Sequence, residues 1–122
     1  MGVKFEGFNY INGGICAPSG FLAAGLHCGL RKNKSKKDLA LIVANEVCNT
    51  AAVYTSNKVK ASPLMVTKEH LEDGKAKAII CNSGNANACN ADGEDKAKSM
   101  CKIVAQELDI DMKDVLVAST GV

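Results

Sequence analysis

The sequence predicts an α/β fold, a layered sandwich in which a mixed β-sheet carries helices on its outside. Residues 76–119 alternate as an apolar run, a polar loop, an amphipathic segment and a second apolar run, which is the pattern of one strand–helix–strand crossover unit. The preceding apolar runs are short and bounded by turn residues, as strands are. With 122 residues and 47% hydrophobic content, the chain is expected to form a single α/β segment over 1–122.

The first part of the chain predicts a small sheet. Glycines and a proline punctuate residues 13–21, which favours an edge strand and a turn over a helix. Apolar runs then predict strands at 21–26, 38–43 and 51–55, of which the second contains β-branched residues, and asparagine and glutamate between the last two mark a loop.

A helix is predicted from Pro63 to about residue 72. Ser62 is a favoured cap, proline is tolerated at the first helical position, and a glycine at 74 ends the pattern. The apolar spacing places Leu64, Met65 and Leu71 inward and leaves Val66 ambiguous.

The clearest element is an amphipathic helix over residues 97–108. Its apolar residues recur at steps of three and four, while the intervening positions are mostly lysine or glutamate. Asp92, Glu94 and Asp95 precede it, where carboxylates complement the helix dipole. Such a stripe requires a sheet beneath it.

Charge and hydropathy argue against a nucleic-acid or membrane partner. The net charge is +2, and the 15 basic and 13 acidic residues are spread along the chain without a basic face. The basic cluster at 31–37 lacks interleaved aromatic residues, which favours a solvated loop over an anion site. No apolar segment resembles a signal peptide, so a cytoplasmic location is expected.

The six cysteines are predicted to be reduced and mostly buried. Three lie within apolar runs, and no export signal accompanies them. No pair shows the short spacing of a zinc site, so no metal is expected.

Two polar stretches at strand ends are the candidate functional residues. Thr120 and Gly121 can together donate a hydroxyl and a backbone amide to a developing oxyanion, although an ordinary strand exit explains the same pattern. The asparagine loop at 82–88 either fixes geometry near a site or is simply a hydrogen-bonded turn. His27 and His70 lack a neighbouring acid or nucleophile and are interpreted as structural. The nucleotide, zinc and serine-hydrolase signatures are absent from the sequence.

Several phrases, in order, resemble the amino-terminal half of the ornithine acetyltransferase family. The two most specific are NSGNANA at 82–88 and VLVASTGV at 115–122. The others are GICAPSGF at 14–21, AAG at 23–25, DLALI at 38–42 and AAVYTSN at 51–57. Cys16 stands where threonine is common in that family.

The resemblance implies an arginine-biosynthesis enzyme that moves an acetyl group from N-acetylornithine to glutamate, and in some members from acetyl-CoA. It further implies self-cleavage and a nucleophilic threonine at the start of a partner β chain. The expected assembly has two α and two β chains, needs no cofactor and has the self-processing acetyltransferase and aminopeptidase type of fold. Thr120 and Gly121 match the family's oxyanion-hole pair, whereas the nucleophile lies beyond Val122 and this chain supplies only part of the fold.

Two other interpretations stay open at this point. A self-processing aminopeptidase would share the broad fold, and a non-catalytic interaction domain would need no nucleophile. The residues that follow Val122 would discriminate among the three, since an Ala-Thr junction indicates the acetyltransferase and a serine at the junction the aminopeptidase.

Overall fold

The computed structural model describes residues 6–122 and contains a mixed four-stranded sheet with two helices. The strands lie in the order β1-β2-β3-β4, in which β1–β2 and β2–β3 are antiparallel and β3–β4 is parallel. The bounds are β1 Phe21–Leu26, β2 Leu39–Asn49, α1 Ser62–His70, β3 Lys75–Gly84, α2 Gly93–Leu108 and β4 Val115–Gly121.

The core lies between the helices and one face of the sheet. Alternate residues of β3 and β4 point toward α2, as the two-residue period of a strand requires. The buried cluster consists of Val66, Ala78, Ile80, Ala97, Cys101, Val104, Ala105, Val115 and Val117. On the opposite face, Ile42 and Ile79 are register partners and stay only half-buried.

Helix α2 confirms the predicted amphipathic element and the predicted crossover, because it joins the two parallel strands. Ala97 and Cys101 have no exposed surface. Asp92 is the N-cap residue, and Glu94 and Asp95 occupy the first turn. The helix ends where Asp109 adopts the left-handed conformation, with φ of 52°.

Helix α1 exists as predicted, but its start and its facing side differ from the prediction. It begins at Ser62 itself, with Ala61 as the N-cap residue, so Ser62 is not the cap. Val66 is 1% exposed whereas Met65 is 45% exposed, because the helix packs on both β4 and α2 rather than on one surface. The prediction that Met65 faces inward was therefore wrong.

Two predicted strands are absent from the described residues 6–122. Residues 51–55 have no regular structure and are exposed, and residues 14–16 form a short 3-10 helix instead of an edge strand. A β-favouring composition becomes a strand only when a sheet edge is available to pair with it. Strand β2 meanwhile continues through Asn49 after a register shift, beyond its predicted end at 43.

Helix α1 covers the outer edge of β4, the edge that faces away from β3. Thr67 Oγ1 donates to the carbonyl of Val117 at 2.7 Å and accepts from the Val117 amide at 3.0 Å. His70 Nδ1 lies 2.7 Å from the carbonyl oxygen of Val115. Since a carbonyl can only accept, this ring nitrogen carries the proton. The edge is thus closed as far as Val117.

All six cysteines are free, but only Cys101 is buried, so the prediction that most are buried was wrong.

Within residues 6–122, neither helix has the length and apolar character needed to cross a membrane.

Candidate functional site

The parallel strands β3 and β4 bring both polar stretches to one edge of the sheet. Ser83 is the register partner of Thr120, and Gly84 is the partner of Gly121. Because parallel strands end at the same edge, residues that are 37 positions apart in the chain become neighbours. The asparagine stretch therefore begins inside β3, and only its second half is a loop.

Thr120 and Ser119 point to opposite faces of this edge. Ser119 lies on the helix face, where its hydroxyl is 2.5 Å from Asn82 Oδ1. Thr120 and its partner Ser83 stand on the other face, and Thr120 is exposed. The predicted donor hydroxyl is thus accessible from the face that carries no helix.

The backbone amide of Gly121 points to the outer edge of β4. In a parallel ladder the backbone groups alternate between the two edges, and those of Val115 and Val117 face outward toward α1. The carbonyl of Thr120 therefore faces β3, and the N–H in the same planar peptide, that of Gly121, faces outward. Because α1 does not reach beyond Val117 with a hydrogen bond, this amide lies on an uncovered edge.

Gly121 packs against the backbone of β3 in a conformation that suits only glycine. Its φ is +132°, and a Cβ built there would lie 2.7 Å from the backbone of both Gly84 and Asn85. Neither backbone neighbour can rotate away as a side chain can. Glycine at this position therefore sets how closely the two strand ends approach.

The asparagines of the loop mostly hold the loop itself. Asn85 Oδ1 accepts from the amide of Asn87 at 2.7 Å, and Asn87 Nδ2 donates to the carbonyl of Gly93 at 2.8 Å. Asn87 is buried with φ of 50°. These contacts join β3 to the start of α2 and support the interpretation of a hydrogen-bonded turn.

A cavity of about 540 Å³ opens on the helix face of the same edge. Its walls include Cys28, Leu39, Asn82, Met100 and Ser119, but neither Thr120 nor Gly121. Partial burial and the neighbouring Asp38 carboxylate raise the pKa of the Cys28 thiol, which disfavours a nucleophilic thiolate. The cavity and the predicted oxyanion pair therefore lie on different faces of the sheet.

Asp38, which sequence reasoning did not single out as a site residue, clamps the loop beside the strand ends. Its carboxylate accepts from the amides of Cys28 at 2.6 Å and Arg31 at 2.8 Å, and the residue is 2% exposed. Its carbonyl accepts from the amide of Ser83 at 2.9 Å. A lone aspartate before an apolar run gave no signal of this role, because its partners are backbone amides.

Arg31 departs from the solvated loop that was predicted for 31–37. Residues 32–37 are exposed, but Arg31 is half-buried, and its Nε donates to Ser83 Oγ at 3.0 Å. It is the single arginine of the chain. A single arginine at the start of a lysine run was the sequence feature that could have distinguished Arg31 from the exposed lysines that follow it.

Both histidines bond to main-chain carbonyls, in agreement with their structural interpretation. His27 Nδ1 lies 3.0 Å from the carbonyl of Lys36 and 3.1 Å from Asp38 Oδ2. His70 is 2% exposed on α1. Among the described residues 6–122, no three histidine, cysteine or acidic side chains cluster as metal ligands would.

The buried Asp38 carboxylate predicts that the free energy of unfolding decreases at acid pH. Burial alone would raise its pKa, but the amides of Arg31 and Cys28, the Cys28 thiol and His27 together hold it well below its usual range. A carboxyl whose pKa is lowered by folding stabilises the folded state above its unfolded pKa of about 3.9. That stabilisation is lost as the pH falls from about 4 toward the folded-state pKa.

Denaturant unfolding of the full-length protein between about pH 6 and pH 3 tests this prediction. We expect Asp38→Asn to be less stable than the wild type near neutral pH and to lose less stability on acidification. Asp109→Asn is the matched control, because that carboxylate is exposed and asparagine also tolerates the left-handed conformation. If Asp38→Asn loses as much stability on acidification as the wild type does, the Asp38 carboxylate does not stabilise the fold through the amides of Cys28 and Arg31.

The fold matches solved structures of one class of enzyme. A crystal structure of arginine biosynthesis bifunctional protein argJ from Bacillus halodurans aligns with a TM-score of 0.81 at 45% identity, over 85% of this chain and 55% of that chain. Ornithine acetyltransferase complexed with ornithine, from Mycobacterium tuberculosis, aligns with a TM-score of 0.81 at 36% identity, over 87% and 58%. The chain is therefore an α/β fragment of this fold, as the sequence predicted.

The ArgJ family model matches residues 22–122. The arginine biosynthesis bifunctional protein ArgJ of Caldanaerobacter subterraneus subsp. tengcongensis is 50% identical over 113 residues, which are 92% of this chain and 28% of that protein. The protein of the same name from Symbiobacterium thermophilum is 43% identical over 115 residues, 93% of this chain and 29% of that protein. The chain belongs to the ArgJ family and spans less than a third of the length of these relatives.

Proposed function

We propose that the full-length protein is an acyltransferase of arginine biosynthesis that moves an acetyl group from N-acetylornithine to glutamate. The relatives are named as arginine biosynthesis bifunctional proteins, and one structural neighbour is an ornithine acetyltransferase in complex with ornithine. Acetyl-CoA is a possible second acetyl donor, and no cofactor is required.

The observation that carries the proposal is the pair of donors at the end of β4. The Thr120 hydroxyl is exposed on the helix-free face, and the Gly121 amide points to the uncovered edge next to it. Attack on an acetyl carbonyl places negative charge on its oxygen, and two such donors stabilise that charge in the transition state. Within residues 6–122 we assign no nucleophile, because the pKa of the exposed Cys28 thiol, which is hydrogen-bonded to Asp38, is raised rather than lowered.

The nucleophile that we propose is therefore a threonine at the start of a partner β chain, released by self-cleavage and acetylated during turnover. Its own α-amino group can act as the base. Two α and two β chains would form the assembly, in the cytoplasm. The helix-free face of the sheet, with half-buried Ile42 and Ile79, is available for packing by the rest of the full-length protein, since the chain matches only 28% of the length of the Caldanaerobacter relative.

The experiment is expression of the full-length protein, followed by intact-mass analysis and an acetyl-transfer assay. We expect two chains. After N-acetylornithine alone, the mass of the β chain should increase by one acetyl group, and acetylglutamate should form once glutamate is added. Cleavage with peptide hydrolysis but no acetyl transfer would indicate an aminopeptidase. An intact chain without either activity would indicate an interaction domain.

A further inference from the structure

The buried side chain of Asn82 joins the end of β4 to the loop that follows β3. Its Oδ1 accepts from the Ser119 hydroxyl at 2.5 Å, and its Nδ2 donates to the carbonyl of Asn85 at 2.9 Å. The residue is 8% exposed, so water competes little for either bond. An amide suits this position because it offers both an acceptor and a donor, whereas a carboxylate offers only acceptors.

The bond between Asn82 and Ser119 lies where β4 loses its support from α1. Hydrogen bonds from Thr67 and His70 hold the outer edge of β4 only as far as Val117. Within residues 6–122, the bond from Ser119 is the one side-chain hydrogen bond that residues 118–121 form. The last pairs of a ladder have neighbours on one side only and open most easily, so this bond holds the part of β4 that is least supported.

Both proposed oxyanion donors follow directly after Ser119. Because side chains alternate between the faces of a strand, fixing Ser119 on the helix face also fixes the direction in which Thr120 points on the other face. Gly121 packs against the backbone of Asn85, where a built Cβ would lie 2.7 Å from the amide nitrogen. Asn82 therefore holds both the strand that carries the donors and the backbone against which Gly121 packs.

The Asn82–Ser119 bond is separated from the proposed reaction by the sheet itself. Both side chains line the cavity on the helix face, whereas the Thr120 hydroxyl is exposed on the helix-free face. Oxyanion donors are effective because they are already in place when the charge develops. A displacement of about 1 Å can cost about 10²-fold in rate, so a bond that only holds the donors should affect kcat more than KM.

We propose that Asn82 and Ser119 are positioning residues for acetyl transfer. Their hydrogen bond keeps the end of β4 in the geometry in which the Thr120 hydroxyl and the Gly121 amide stabilise the oxyanion. This inference rests on the proposed acetyl transfer and on the donor roles of that pair.

The test is a double-mutant cycle on acetyl transfer by the full-length enzyme. We expect Ser119→Ala to lower kcat about 10-fold with little change in KM. In the Thr120→Ala background the same substitution should lower kcat only about threefold, because one of the two donors that it displaces is already absent. An equal loss in both backgrounds, or no loss in either, would overturn the proposal.

Three further variants separate positioning from a general loss of stability. Ser119→Thr keeps the hydroxyl and should retain most of the activity. Asn82→Leu has a similar volume but neither donor nor acceptor, so it should reproduce the loss seen in Ser119→Ala. Ser99→Ala is the matched control and should leave kcat unchanged, because Ser99 lines the same cavity but donates to the carbonyl of Asp95 within its own helix.

Amide hydrogen exchange of residues 117–122 in the full-length protein tests the bond without turnover. We expect Ser119→Ala and Asn82→Leu to raise the exchange rate of this segment about 10-fold and to leave that of residues 97–108 unchanged. Unchanged exchange at 117–122 would show that the proposal is wrong whatever the enzyme catalyses. A wild type that lacks acetyl transfer but shows these exchange differences would instead overturn the proposed function and leave the bond as a support of the strand end.

Discussion

Thr120→Ala is expected to lower the rate of acetyl transfer by about 10² to 10³, equivalent to about 3 to 4 kcal/mol of transition-state stabilisation. Thr120 is exposed at the end of β4, and in the proposed reaction its hydroxyl donates to the oxygen that becomes negative only as the nucleophile attacks. Its loss should therefore appear in kcat and in kcat/KM equally, with little change in substrate affinity.

The measurement follows acetyl transfer from N-acetylornithine to glutamate. The proposed α and β chains are co-expressed as two separate polypeptides. This design avoids the proposed self-cleavage, which would also pass through an oxyanion and confuse the result. Thr120→Ser should retain most activity because it keeps the hydroxyl, and Thr55→Ala is an exposed control far from the strand ends in the sequence. Equal turnover, or a loss confined to KM, would remove Thr120 from the oxyanion role and leave an ordinary strand exit.

Gly121→Ala should be the most disruptive small substitution in the strand ends. A methyl group there would meet the backbone of Gly84 and Asn85 at 2.7 Å, and φ of +132° is strained for any residue with a Cβ. Backbone strain and overpacking together cost about 3 kcal/mol. Because relief requires β4 to move away from β3, the amide would also leave its position, so activity should fall more than for Thr120→Ala.

Thermal unfolding and acetyl transfer by the full-length protein would be measured together. Gly29→Ala is the control, because Gly29 also has a positive φ, of +95°, but nothing lies within 4 Å of a built Cβ. We expect that control to cost only about 1 kcal/mol, from the backbone conformation alone. If the two variants unfold at the same temperature, the close approach of the strand ends is not a constraint.

Elements with strong local periodicity were predictable, and elements that depend on pairing were not. The stripe from Ala97 to Leu108 became α2 as predicted, since one apolar face at helical spacing has few alternative structures. Residues 51–55 are mostly apolar and include two β-branched residues, a composition typical of strands, yet they form no strand. Pairing needs a partner edge, and no local pattern reports whether one is free.

The sequence by itself determined the class of fold, the crossover unit, the family resemblance and the pair Thr120 and Gly121 as candidate donors. Each depends on local order along the chain. Only the tertiary structure decided that Thr120 faces away from the cavity and that the Gly121 amide lies on an open edge. It also brought Asp38 and Arg31 to the strand ends, because their partners are backbone amides and a serine 52 residues away, which composition and spacing cannot reveal.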